Sequence, residues 1–150
     1  MNTKTLLAAL VGGIAAFLLG WLLYGLALAD FYESNTTHYE GLMRMVAGAT
    51  PAVRDMVIIF LSNCVWALML AYVFTRWAGI DNFMEGMKAG AILSFLIALA
   101  YNLSFLAFMN LYSNSLFVVD VIVNTIVGGI IGGVVGWMLG RGKATTAAAA

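Results

Sequence analysis

The chain has 150 residues, 63% of them hydrophobic and 9% charged, with mean hydropathy +0.99 and seven basic against seven acidic side chains. A soluble domain is about 45–50% apolar and about a quarter charged, so this composition excludes a soluble globule and a disordered chain. Zero net charge excludes a nucleic-acid binder, and a lone cysteine, Cys64, excludes an intrachain disulfide and a cysteine-based zinc site. The class that remains is an integral membrane protein.

A helix that crosses about 30 Å of hydrocarbon needs about 20 apolar residues. Four stretches meet this: 6–29, 56–75, 89–111 and 116–139. None alternates with period two, which argues against a β-barrel. The expected fold is all-α: a polytopic four-helix bundle in up-down-up-down order, one domain over 1–143 with a low-complexity Ala/Thr tail at 144–150.

The first stretch follows Lys4 and ends at Ala27-Leu28-Ala29, which resembles a signal peptide with an A-x-A cut. It is longer than the 7–15 residues of a signal core, so a retained helix is expected. The loop after Asp30 is the one long connection, and a short surface helix is expected over 39–46, with Leu42, Met43 and Met45 dipping inward. Within that loop, one His (His38) with loosely spaced acids (Glu33, Glu40) is a poor zinc signature. Thr50-Pro51 reads as an N-cap and first helical residue for the second span, and Gly79 as its stop. Asn82, with Glu85 three residues on, reads as the cap of the third. The turn at 110–115 is short enough to make the third and fourth spans an antiparallel hairpin.

Lys and Arg are unevenly distributed about these spans. Lys4, Arg76, Lys88, Arg141 and Lys143 share one side, against Arg44 and Arg54 on the other. Under the positive-inside rule both termini are expected in the cytoplasm. Gly128, Gly132, Gly136 and Gly140 recur every four residues in the fourth span, and Gly12, Ala16 and Gly20 do so in the first. Such stripes let helix backbones approach closely, so the first and fourth helices are expected to pack on each other. A second copy, or a larger membrane complex, is the alternative partner for the fourth-helix stripe. Val11-Gly12-Gly13-Ile14 also matches Val127-Gly128-Gly129-Ile130, a weak echo of the internal repeats of transporters.

Polar groups are costly at depth, and here they gather in the expected outer half. Asp120 and Asn124 share a face of the fourth helix at i, i+4. Asn102 and Tyr101 reach a similar level on the third, Asn63 lies in the outer half of the second, and Tyr24 ends the first. One reading has these side chains hydrogen-bond across helices and fix their register. The other has them line a small polar cavity, with Asp120 its only acid, for a cation, a proton or an amphipathic molecule. Trp66, Tyr72, Trp77 and Trp137 read as packing or interface aromatics. No phosphate loop, nucleophile elbow or cofactor motif is present.

The run Phe17-x-x-Gly20-Trp21-x-x-Tyr24-Gly25, with Val118-Val119-Asp120 leading to Gly128 and Gly132-Gly133, resembles the first and last helices of a family of small four-helix bacterial inner-membrane proteins, a domain of unknown function. The resemblance implies four spans and an inner-membrane location, and no reaction. The expectation is a structural or accessory membrane subunit without catalysis or cofactor, in contact with lipid. The alternative is a small transporter or ligand-binding membrane protein that uses the polar cavity.

Overall fold

The computed structural model describes residues 2–39 and 52–141, and its regular structure is helical apart from one isolated β-bridge, Thr36 to Tyr112. Helix α1, Thr3–Leu22, starts at Asn2, whose side chain accepts from the Thr5 N–H at 2.9 Å. It runs on through a π-helical turn, Leu23–Ala27, closed by the Leu28 N–H donating to the Leu23 carbonyl at 2.8 Å. A short helix α2, Ala29–Asn35, follows directly. Helix α3, Val53–Val73, also ends in a π-helical turn, Phe74–Ala78, and stops at Gly79 with φ +63°. That left-handed backbone is open to glycine at no steric cost, as the sequence suggested. Helix α4, Phe83–Phe108, opens at Asn82, whose side chain accepts from the Glu85 N–H at 2.9 Å. Helix α5, Asn114–Gly140, is capped by Ser113 on the Leu116 N–H at 3.1 Å.

Among the described residues, four helical stretches are long and apolar enough to cross a membrane: Thr3–Ala27, Val53–Ala78, Phe83–Phe108 and Asn114–Gly140. They correspond to the four expected spans with shifted ends. Three start earlier than the apolar windows, two of them at side-chain caps, Asn2 and Asn82, that satisfy free N–H groups. The fourth span starts two residues early, at Ser113's cap, for the same reason. Helix α4 stops at Phe108 instead of 111, where the chain turns extended and the Thr37 N–H donates to the Leu111 carbonyl at 2.7 Å. Helix α2 was not expected. Residues 40–51 lie outside the description, and with them Thr50-Pro51 and most of the expected 39–46 helix; so does the 144–150 tail.

Helix α5 is central. Of its most apolar stretch 44% is buried, against 17% for α4. Helices α4 and α5 pack along a seam of small residues, Gly86, Gly90 and Ser94 against Gly128, Gly132 and Gly136. A Cβ on Gly90 would lie 2.8 Å from the Gly132 Cα, and one on Gly86 would strike the Gly132 carbonyl. Residue order is reversed along the seam, from Asp81 beside Gly140 to Ser94 beside Gly128, so the pair is antiparallel. The glycine stripe of α5 therefore meets α4, while the expected packing of the first and fourth spans is also present, through Val135 and Ile131 of α5 instead of its glycines. Helix α4 carries a matching i, i+4 series, Gly86, Gly90, Ser94, Ala98 and Asn102, all buried.

Helix α1 uses its small residues on α3 and α5. A Cβ on Gly12 would meet the Val135 Cγ2 at 2.7 Å and the Ala67 Cβ at 3.0 Å, and one on Gly13 the Cys64 Cα at 2.8 Å. Ala16 is buried. Gly20 has open space around it, so its proposed packing role does not hold: the stripe has left the contact surface by that turn. Phe17 meets Phe60 edge-on at 5.8 Å, which continues an antiparallel contact of α1 with α3. Leu70, Phe74, Ile131 and Val135 fill the centre of this three-helix core. Helices α3 and α4 have no extensive contact with each other, and the gap between them is floored by α5.

Candidate functional site

That gap holds a half-open cavity of about 160 Å³, large enough for several waters or a small solute. Trp66 lines it from α3, Ser94, Ile97, Ala98, Tyr101 and Asn102 from α4, and Asp120 and Asn124 from α5. A second hollow beyond Asn102, against Phe105 and Phe117, is about 10 Å³ and holds one water at most.

Asp120 lies six residues into α5, roughly 9 Å along the axis. One carboxylate oxygen accepts from the Tyr32 hydroxyl at 2.8 Å, and the other from the Asn102 amide at 2.8 Å. Asn102 is 5% exposed and also donates to the Ala98 carbonyl at 2.9 Å. Asn124, one turn deeper, donates to the Asp120 carbonyl at 2.8 Å and to the Tyr24 hydroxyl at 3.2 Å. Tyr24 and Tyr32 stack edge-on at 5.1 Å. The π-helical turn carries Tyr24, and π turns re-aim side chains relative to the α-helix that precedes them.

Four of the five proposed polar residues, Asp120, Asn124, Asn102 and Tyr24, thus form one hydrogen-bonded group. Asn63 does not join them. Its amide donates to the Ile59 carbonyl of its own helix at 2.8 Å, and no bond joins it to the other four among the described residues. Tyr32 is the participant that sequence reading missed. It sits past the end of the first span, and its one signal is an aromatic pair, Phe31-Tyr32, in a polar stretch. Trp66, read as packing, does pack against the core and also lines the cavity. The remaining aromatics stay peripheral: Tyr72 and Trp77 meet edge-on at 5.6 Å, and the Arg141 guanidinium lies 4.2 Å over the Trp137 ring.

Helix α2 is tied down over this group. The Ser113 hydroxyl donates to the Asn35 side-chain oxygen at 2.7 Å, and the Ser113 N–H to the Asn35 carbonyl at 3.0 Å. Burial and the bond to Asp120 push the Tyr32 phenol well above its ordinary value, so it remains a neutral donor to the carboxylate. Burial raises Tyr112, in the α4–α5 turn, in the same sense. His38, in the segment beyond α2, approaches the Glu33 carbonyl at 3.3 Å.

Both amide nitrogens are committed, Asn102 to Ala98 and Asp120, Asn124 to Asp120 and Tyr24. Their Oδ1 atoms accept no hydrogen bond among the described residues, and no ion pair reaches Asp120 among them. Ser94 Oγ is buried without a hydrogen-bond partner among the described residues, pressed against the Gly128 face of α5. Ser104 and Thr125, by contrast, donate to the carbonyl four residues earlier, the usual resolution for a hydroxyl in a helix.

No protein-family model, curated protein or solved structure matches the chain. Its role is therefore read from the chemistry of the cavity.

Proposed function

We propose that this is a multi-pass protein of the bacterial inner membrane that binds a small polar or cationic solute in the cavity beside Asp120 and performs no catalysis. Of the two readings open in the sequence, the ligand-binding one has the stronger support. One observation carries it: a carboxylate held by two neutral donors, with no cation among the described residues, borders a space large enough for a solute. Hydrogen bonds that merely fixed helix register would not require that space. The resemblance to small four-helix inner-membrane proteins fits the same location.

Orientation follows from charge. Lys4, Arg76, Lys88 and Arg141 fall at the bundle end where α1 starts and α5 stops, and Arg54 at the other. The first end is cytoplasmic by the positive-inside rule, and the Asp120 cavity opens in the opposite half. Reporter fusions at both termini should read cytoplasmic, and a single fusion reading outside overturns the orientation. For the cavity, Ala98→Cys in a Cys64→Ser background should react with a small charged thiol reagent in nanodiscs. If it stays inert while Met109→Cys reacts, the cavity is closed and the binding reading fails.

A further inference from the structure

We infer that the solute is a small primary ammonium, R–NH3+, whose charged head is received by Asp120, Asn102 and Asn124 and whose apolar remainder lies against Trp66 and Tyr101. This deepens the ligand-binding reading above and rests on it. Around Asp120 the polar atoms left to a ligand are acceptors: the carboxylate, and two amide oxygens that accept no bond among the described residues, the amide donors being already committed; the hydroxyls of Ser94 and Tyr101 and the Trp66 indole belong to the rest of the lining. A ligand head seated beside Asp120 brings donors and a positive charge. An ammonium head brings three N–H donors and one charge, and charge-assisted bonds to a carboxylate are the strong ones.

The rest of the lining selects against a bare metal ion. Hard cations take six or more oxygen ligands at short range, whereas Trp66, Ile97, Ala98 and Tyr101 present apolar surface to this cavity. The faces of Trp and Tyr attract an organic cation through the ring quadrupole. About 160 Å³ lies below the roughly 300–1,000 Å³ of sites for drug-sized ligands, so the ligand is a short-chain amine. Tyr32, bound to the other side of the carboxylate, holds the acceptor in place without occupying the cavity.

The test is calorimetric titration of n-butylammonium, 1-butanol and tetramethylammonium into the full chain in nanodiscs, with empty nanodiscs subtracted. n-Butylammonium should bind about tenfold or more tightly than its neutral isostere 1-butanol, the factor expected for a charged hydrogen bond. Tetramethylammonium, which has charge but no N–H, should fall between them. Asp120→Asn, its helicity checked by circular dichroism, should reduce n-butylammonium binding to the 1-butanol level. Equal binding of ammonium and alcohol by the wild-type chain overturns the inference, and so does unchanged ammonium binding by Asp120→Asn. If ammonium fails but sodium or potassium gives heat that Asp120→Asn abolishes, the cavity binds a cation and the ammonium assignment alone falls. If no solute binds and Ala98→Cys is inert, both readings fall.

Discussion

The two halves of the α4–α5 pair are built on opposite principles. Toward the chain termini, Gly86 and Gly90 lie against Gly132 and Gly136 so closely that no Cβ fits between the backbones. Toward the hairpin turn the same two helix faces carry Asn102 and Asp120, and space opens beside them. The i, i+4 stripe of α4 is continuous across both halves, so side-chain size along one line sets the distance between helices. Glycine brings backbones together through dispersion contact. Where side chains lengthen, the helices stand apart and hydrogen bonds bridge them. A polar cavity in a small bundle thus needs a tight seam elsewhere to keep its walls in register.

That contrast can be broken at its strongest point. Gly132→Ala places a methyl against the Gly86 carbonyl and 2.8 Å from the Gly90 Cα. It should destabilise the protein by about 1–3 kcal/mol, as overpacking does, seen as a lower unfolding midpoint in detergent. Wild-type stability in that variant would mean the seam is not close-packed. In the other half, Asp120→Ala removes two side-chain bonds, from Tyr32 and Asn102, at about 0.6 kcal/mol each. A loss of roughly 1 kcal/mol is expected, smaller than for the glycine. Gly20→Ala sharpens the comparison from outside it. With nothing near a Cβ there, helix propensity should raise stability by up to about 0.8 kcal/mol.

Tyr32→Phe should cost about 0.6 kcal/mol, and its pH dependence carries a sign. Burial and the Asp120 bond raise the phenol's pKa above its ordinary value of 10.0, so the folded state favours the protonated form. Its contribution is complete below about pH 10 and is lost as pH rises through the raised value. The stability difference between wild type and Tyr32→Phe should be flat over about pH 6–9 and shrink only at higher pH. Asn63→Ala should change stability least, within about 0.5 kcal/mol, because Asn63 bonds its own helix. A larger loss would bring α3 back into the polar group.

The spans were legible because they depend on solvent: long apolar runs report lipid whatever they pack against. Gly79 and Asn82 were legible as helix ends because local backbone chemistry decides them. Neighbour choice was harder to read. The stripe of α5 could have met any helix with small residues, and the matching series in α4 contains a serine, an alanine and an asparagine that disguise it. Asn63 and Asn102 look alike in sequence, yet Asn102 reaches Asp120 on α5 while Asn63 bonds its own helix, a choice of partner that hydropathy does not encode. Tyr32 was hidden because α2 gains its place from the Asn35–Ser113 bonds, between residues distant in the chain.

The hydrogen bonds around Asp120 span very different chain distances: 18 residues to Asn102, 88 to Tyr32, and 100 between Tyr24 and Asn124. Loop-closure entropy grows with the logarithm of length, so the longest of these closures costs about 1.5 kcal/mol more than the shortest. During synthesis the last two helices can therefore zip together as a hairpin soon after they emerge, burying their glycines without help. The first helix must wait for the last before its tyrosine has anything to hold. The pocket is then the latest part of the molecule to be assembled, and an interruption of translation inside the final helix would leave every other span in place and no site between them.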